Sequence, residues 1–210
     1  MPDDDDDVTI MLAMLCSQDE NMAADLDGKF GRPPSRKWAL AAATINNGST
    51  LLHYVAGATW MPPVFLSPDI WRAERVLTAV ERALADTHLV GAAAVTDQIE
   101  RRAALFAVWL LQHGANAAAR TTCGGTTPLH VAAARGWALM AGVLTAFVLD
   151  AADLVNASDG NGNTAMHMAA NGGYGNLFLL MAEQWHGRWD QRNATGQAAA
   201  MLLVKRLLSP

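Results

Sequence analysis

The sequence predicts an all-α protein built from stacked helix–turn–helix units, and three observations predict it. An eleven-residue block recurs without a gap at a spacing of 37 residues. Turn-forming glycines stand at matching places in the copies. Trp137 to Leu149 is a 13-residue apolar run without charge, as a helix packed on several sides requires.

The first clear copy runs from Thr127 through Pro128, Leu129, His130, Val131, Ala132, Ala133, Ala134, Arg135 and Gly136 to Trp137. The second runs from Thr164 through Ala165, Met166, His167, Met168, Ala169, Ala170, Asn171, Gly172 and Gly173 to Tyr174. A weaker copy lies upstream at Thr50 to Ala56, with His53 at the histidine place and Trp60 at the aromatic one. A fourth starts at Gly196 and continues through Gln197, Ala198, Ala199, Ala200 and Met201, without the Thr or the His. The local physics is that of a short helix. Thr127 is an N-cap, and Pro128 takes the first helical position, where a missing N–H costs nothing. Leu129, Ala132 and Ala133 form an apolar stripe whose small members admit a close neighbour. Gly136 permits the left-handed residue that ends the helix. Trp137 to Leu149 then predicts a second helix. Asp159, Gly160, Asn161 and Gly162 carry the chemistry of a tight turn.

These blocks resemble the ankyrin repeat, whose pattern is an Asp/Gly turn, Thr-Pro-Leu-His, Ala-Ala, Gly-His, Leu-Leu and Gly-Ala at a period of about 33. Val155 to Thr164 resembles the family's finger turn, and Leu110, Leu111, Gln112, His113, Gly114, Ala115 and Asn116 resemble the end of its second helix. The resemblance is specific for about 108–200, degenerate for 40–107 and absent for 1–39. It implies a solenoid of about three to four repeats that bury their apolar faces on one another.

The first half is irregular. His53 and His130 are 77 residues apart, about two periods, with no clear block between them. Met61, Pro62, Pro63 and Pro68 break the chain. Asp69 caps a predicted helix to about Asp86, with Ile70, Ala73, Val76, Leu77, Val80 and Leu84 on one face. Thr96 or Asp97 caps another to about His113. Residues 69–113 read either as a distorted repeat or as part of a long insertion. The expected organisation is an acidic tail with an N-terminal capping and linker segment over 1–39, then a repeat domain over 40–210 with an irregular insertion at about 61–100. Within 1–39, Val8 to Cys16 reads as a short capping helix and 26–37 as a linker.

Charge excludes several classes. The chain has 15 basic and 20 acidic residues, and the acidic surplus is the run Asp3 to Asp7. The rest is formally neutral, without the basic surplus of a nucleic-acid binder. The run itself reads as a solvated tip. It precedes the apolar stretch Val8 to Cys16, where a secretory signal carries positive charge. The 13-residue apolar run falls short of the roughly 20 residues that cross a bilayer. Cys16 and Cys123 are too few for a disulfide framework. The expectation is a cytoplasmic protein, with the nucleus, or a host cell for an exported protein, as alternatives. No membrane contact is expected, and a monomer is favoured.

No residue pattern points to chemistry. His53, His130 and His167 share one repeat position, and the resemblance implies rings bonded to turn backbone. Equivalent side chains on stacked helices lie about 10 Å apart and do not converge on a metal. The loop from Asp159 has Thr164 and Ala170 where a calcium loop needs Gly and Glu. The glycine pairs at Gly124 and Gly172 lack the lysine of a phosphate loop. Trp60 and Trp137 read as packing, and so do Trp185 and Trp189. No cofactor, metal or enzymatic activity is expected.

The resemblance implies a protein partner bound on a concave surface, with the chain an adaptor, an inhibitor or a partner-specific chaperone. Carried over position by position, the finger candidates are Thr122, Cys123, Thr126, Asp159, Asn161 and Asn163. The first-helix candidates are Tyr54, Val131, Arg135, Met168 and Asn171. Two alternatives remain: a microbial effector that engages a host protein through its repeats, and an enzyme with its active site in 1–100 and the repeats for targeting.

Overall fold

The computed structural model of the chain describes residues 44, 48–57, 70–87, 89 and 98–208. Among the described residues are nine α-helices and no strand. In chain order they are α1 (Leu51–Ala56), α2 (Ile70–Ala85), α3 (Gln98–Gln112), α4 (Pro128–Arg135), α5 (Ala138–Ala146), α6 (Ala151–Val155), α7 (Ala165–Gly172), α8 (Gly175–Gln184) and α9 (Ala199–Leu208). The acidic run, Val8 to Cys16, the 26–37 linker, Trp38, Trp60, Asp69, Thr96, Asp97 and the expected boundary near residue 39 lie outside the described residues.

The short helices α1, α4, α7 and α9 stack in that order as one row, and α3, α5 and α8 pair with the first three. Buried alanines set the close spacing, Ala132 and Ala133 on α4 and Ala169 and Ala170 on α7. The result is an all-helical solenoid with one continuous apolar core.

Helix ends follow the sequence closely. Thr50, Thr127 and Thr164 are N-caps with extended backbone, and Pro128 opens α4. Gly136 and Gly173 take φ of 73° and 78°. The next residue's N–H closes the turn, Trp137 onto the Ala132 carbonyl at 3.0 Å and Tyr174 onto Ala169 at 2.9 Å. Gly136 has a second constraint: a Cβ there would lie 2.4 Å from the Tyr174 ring.

The second helix expected over Trp137 to Leu149 is in fact broken. α5 stops at Ala146, where the Thr145 hydroxyl donates back to the Ala141 and Gly142 carbonyls, both at 3.0 Å. Asp150 then caps α6 by accepting from Ala152 N at 2.8 Å. The break leaves Leu149 exposed. It also accommodates residues beyond the family period, which is why the two clear blocks lie 37 apart.

In the first half, α1 packs on α3 and α4, while α2 packs on α3 and α5. α1 and α3 are therefore the two helices of one unit, and α2 lies in the connection between them. Ala73, Leu77 and Leu84 are its buried face. Gly142 lets α2 approach α5: a Cβ there would sit 3.1 Å from both Leu84 and Val80. The charges of α2 look in sequence like i, i+4 surface pairs. Instead Glu74 and Glu81 both accept from Arg101 on α3, at 2.5 and 2.8 Å, and so bind α2 across helices.

One buried carboxylate has no counterpart in the repeat pattern. Glu100 Oε1 on α3 accepts from Leu139 N at 2.7 Å and Met140 N at 3.2 Å. Trp137, the N-cap of α5, offers no side-chain acceptor, so Glu100 caps that helix from the preceding unit. Glu100→Ala is expected to cost about 2–4 kcal/mol in urea denaturation, and Glu100→Gln about half of that, because the amide oxygen still accepts. Equal losses would show that packing, not charge-assisted bonding, is what Glu100 supplies. Gly136→Val is expected to cost several kcal/mol, since left-handed strain of about 1–3 kcal/mol adds to the collision with Tyr174. An unchanged Tm would refute the cap.

Candidate protein-binding surface

The surface is set by a side-chain bond made three times. In each stacked unit the threonine N-cap donates its backbone N–H to the histidine Nδ1: Thr50 to His53 at 3.1 Å, Thr127 to His130 at 3.2 Å and Thr164 to His167 at 3.1 Å. The threonine hydroxyl lies 2.8–2.9 Å from the same nitrogen. Because Nδ1 accepts, Nε2 carries the proton. It donates to a carbonyl of the next finger: His53 to Thr126 at 2.9 Å, His130 to Asn163 at 3.0 Å and His167 to Gln197 at 3.1 Å. Both nitrogens of each ring are thus occupied by structure. Among the described residues no three ligating side chains cluster as a metal site requires.

The fingers are built around polar side chains turned onto their own backbone. In the finger Asp159–Asn163, Asp159 Oδ1 accepts from Asn161 N and Asn163 N, both at 2.8 Å. In the finger Asn193–Gln197, Asn193 Oδ1 accepts from Thr195 N at 3.1 Å and Gln197 N at 3.0 Å. In the finger Thr121–Thr126, Thr121 N donates to Thr126 O at 2.9 Å, and the Thr121 hydroxyl accepts from Thr126 N at 3.1 Å. Neighbouring fingers are joined edge to edge, Gly160 N to Gly124 O at 2.7 Å and Ala194 N to Asn161 O at 2.9 Å. Arg120 adds a bond to the Ser158 carbonyl, and Asn193 Nδ2 one to Asn163 Oδ1 at 2.9 Å. The fingers form one hydrogen-bonded ribbon.

The eleven candidate residues fall into three groups. Thr122, Cys123, Asn161 and Asn171 are exposed. Tyr54, Val131 and Met168, each following its histidine, are half-buried at the edge of the core. Val131 sits against Gly57, where a Cβ would come within 2.9 Å of it. The other four are half-buried, and Asp159 and Asn163 are engaged inside their finger. Thr126 gives its carbonyl to His53. The Arg135 guanidinium stacks 4.7 Å over the Trp137 ring. Of the tryptophans read as packing, Trp137 is buried and Trp185 half-buried, but Trp189 is exposed. Sequence reasoning passed over Trp71, exposed on α2 with the Arg72 guanidinium 5.2 Å over its ring. Period-2 or period-3.6 patterning gave no signal for it.

The imidazoles of His53, His130 and His167 are all held below the ordinary value of 6.5, because burial disfavours the charged form; the bonds to finger carbonyls oppose this only partly. The unfolded chain therefore binds more protons than the folded one just below pH 6.5. Stability is complete above that pH and falls as pH drops toward the folded-state values. Tm is expected to be flat from about pH 8 to 7 and to fall between about pH 6.5 and 5, and His130→Gln is expected to lower Tm at neutral pH while shrinking that slope. A Tm that held steady to pH 5 would disprove the assignment.

The family model described as ankyrin repeats (3 copies) matches residues 101–193, from inside α3 to the start of the last finger. No curated protein matches the chain.

Proposed function

Residues 101–193 are ankyrin repeats, and from that premise we propose that the chain is a non-enzymatic protein-binding module, an adaptor, inhibitor or partner-specific chaperone. Ankyrin repeats generally mediate protein–protein interactions. The observation that carries the reading is the continuous ribbon of fingers beside the row of first helices, which holds Thr122, Cys123, Asn161 and Asn171 exposed along one stack. In this reading those four residues touch the partner, and Tyr54, Val131 and Met168 supply an apolar edge. Asp159, Thr126 and Asn163 act by holding the fingers in shape, and Arg135 by bracing Trp137. The proposed domain is 40–210, with 61–100 as its insertion. Recognition by shape and hydrogen bonding suits a body of near-zero net charge. The proposed compartment is the cytoplasm, and no helix among the described residues is long and apolar enough to cross a membrane.

One observation favours a second binding face. A shallow cavity of about 690 Å³ lies between α2 and the ends of α3 and α5, lined by Trp71, Arg75, Val80, Gln112 and Ala146. A partner held there would use the irregular half instead of the fingers.

Affinity purification with mass spectrometry separates the two. The combined variant Thr122→Arg, Asn161→Arg and Asn171→Arg is expected to lose the proteins captured by the wild-type chain, with Tm unchanged. Trp71→Ala is expected to retain them. The reverse pattern moves the binding face to α2. Asp159→Ala is expected to cost about 1 kcal/mol of stability and to weaken capture only through it.

A further inference from the structure

α9 ends the stacked row and has a described neighbour of that row on one side only. α4 lies between α1 and α7, and α7 between α4 and α9. α9 packs on α7 through Ala199 and Leu202. On its opposite side Met201, Val204 and Leu208 follow at i, i+3 and i+7, and they are 57%, 56% and 79% exposed. Leu207 borders the stripe at 66%, and Trp189 is 57% exposed in the segment whose carbonyl accepts from Ala200 N at the start of α9. No described element covers this face. It is on the order of a few hundred Å² of apolar surface, the size at which a bare patch marks a contact site.

We propose that the occupant is α9 of a second copy of this chain, paired about a two-fold axis near Val204. Three observations favour a second copy. The stripe is self-complementary: in an antiparallel crossing Met201 meets Leu208 of the second copy, and Val204 meets its own counterpart. Among the described residues the other end of the row shows no exposed apolar side chain on α1, where Leu51, Leu52, Val55 and Ala56 are buried, so head-to-tail stacking finds no matching face there and the pair closes on itself. The face also continues an interface the chain already uses, the α7–α9 contact, on the next seat of the same row. A standard dimer buries about 800 Å² per partner, a little over half of it apolar, which five large exposed side chains match. α9 carries Lys205 and Arg206 and no acid. Two such helices repel weakly, so this pairing tightens as salt rises, whereas an acidic partner helix would bind more weakly. The face is separate from the fingers, so this inference and the proposed function fail independently.

Sedimentation velocity on the full chain, from about 1 to about 100 μM and at about 50 and 300 mM salt, tests the pairing. The mass is expected to rise from 22.4 kDa toward twice that value, further at the higher salt. Val204→Glu is expected to weaken association roughly 30-fold or more without changing the helical circular dichroism. Met201→Gln combined with Leu208→Gln is the milder variant, used if Val204→Glu lowers the helical signal, and it is expected to be monomeric and folded. A wild-type chain that stays monomeric throughout overturns the proposal. So does a dimer that survives these substitutions in folded protein, and so does tightening only on addition of an acidic amphipathic helical peptide.

Discussion

The hydrogen bond from a histidine Nε2 to the next finger's carbonyl is the constraint on which the rest of the structure depends. Each short helix is too brief to be stable alone. The threonine and histidine close its first turn, and the same ring reaches out to the following unit. Local capping and long-range stacking are therefore one interaction. Its three copies agree to within 0.2 Å, from 2.9 to 3.1 Å, which keeps the fingers at equal spacing and lets their backbones join as a ribbon. Neutral imidazole is required, because a proton on Nδ1 would face the threonine N–H. The solenoid's geometry thus carries a dependence on acidity that a stack held by apolar packing alone would lack.

The first unit needs more than this clamp, because its two helices are far apart in sequence. Three contacts compensate. Arg101 draws two glutamates of α2 onto α3. Glu100, the adjacent residue, reaches the other way and caps α5. Gly142 removes the side chain that would hold α2 away from α5. α2 consequently covers the outer side of α5, which explains why that helix is apolar nearly all round. It is a central helix, enclosed by α3, α4 and α2.

What was legible in the sequence is what local chemistry writes. A threonine before Pro-Leu-His, alanines at helical spacing and a glycine before an aromatic each act within a few residues, and the helices of the two clear blocks begin and end where these signals stand. The amphipathic pattern of 70–84 likewise located α2 and its buried Ala73, Leu77 and Leu84. The missed features act at a distance. The cap from Glu100 spans 39 residues and the bridge from Arg101 to Glu74 spans 27, and neither glutamate differs in sequence from a solvated one. The end of α5 at Ala146 was hidden because Phe147 to Leu149 are as apolar as the helix before them. Only the hydroxyl of Thr145 and the capping carboxylate of Asp150 mark the break.

The same division bears on the candidate surface. Carrying family positions over to this chain selects residues by where they stand, not by whether their polar atoms are free. Asp159 illustrates the difference. It occupies a finger, yet its Oδ1 accepts two backbone N–H groups of that finger, so a partner would have to compete with bonds already made at 2.8 Å. Asn161, two residues on, uses its backbone for the ribbon and leaves its side chain exposed. A hydrogen bond from Asn161 to a partner would then cost little beyond ordering one short side chain, whereas one from Asp159 would cost the turn. On this ground the proposed contact set narrows to Thr122, Cys123, Asn161 and Asn171 with the apolar edge beside them, and the buried polar residues of the fingers belong to the frame that presents it.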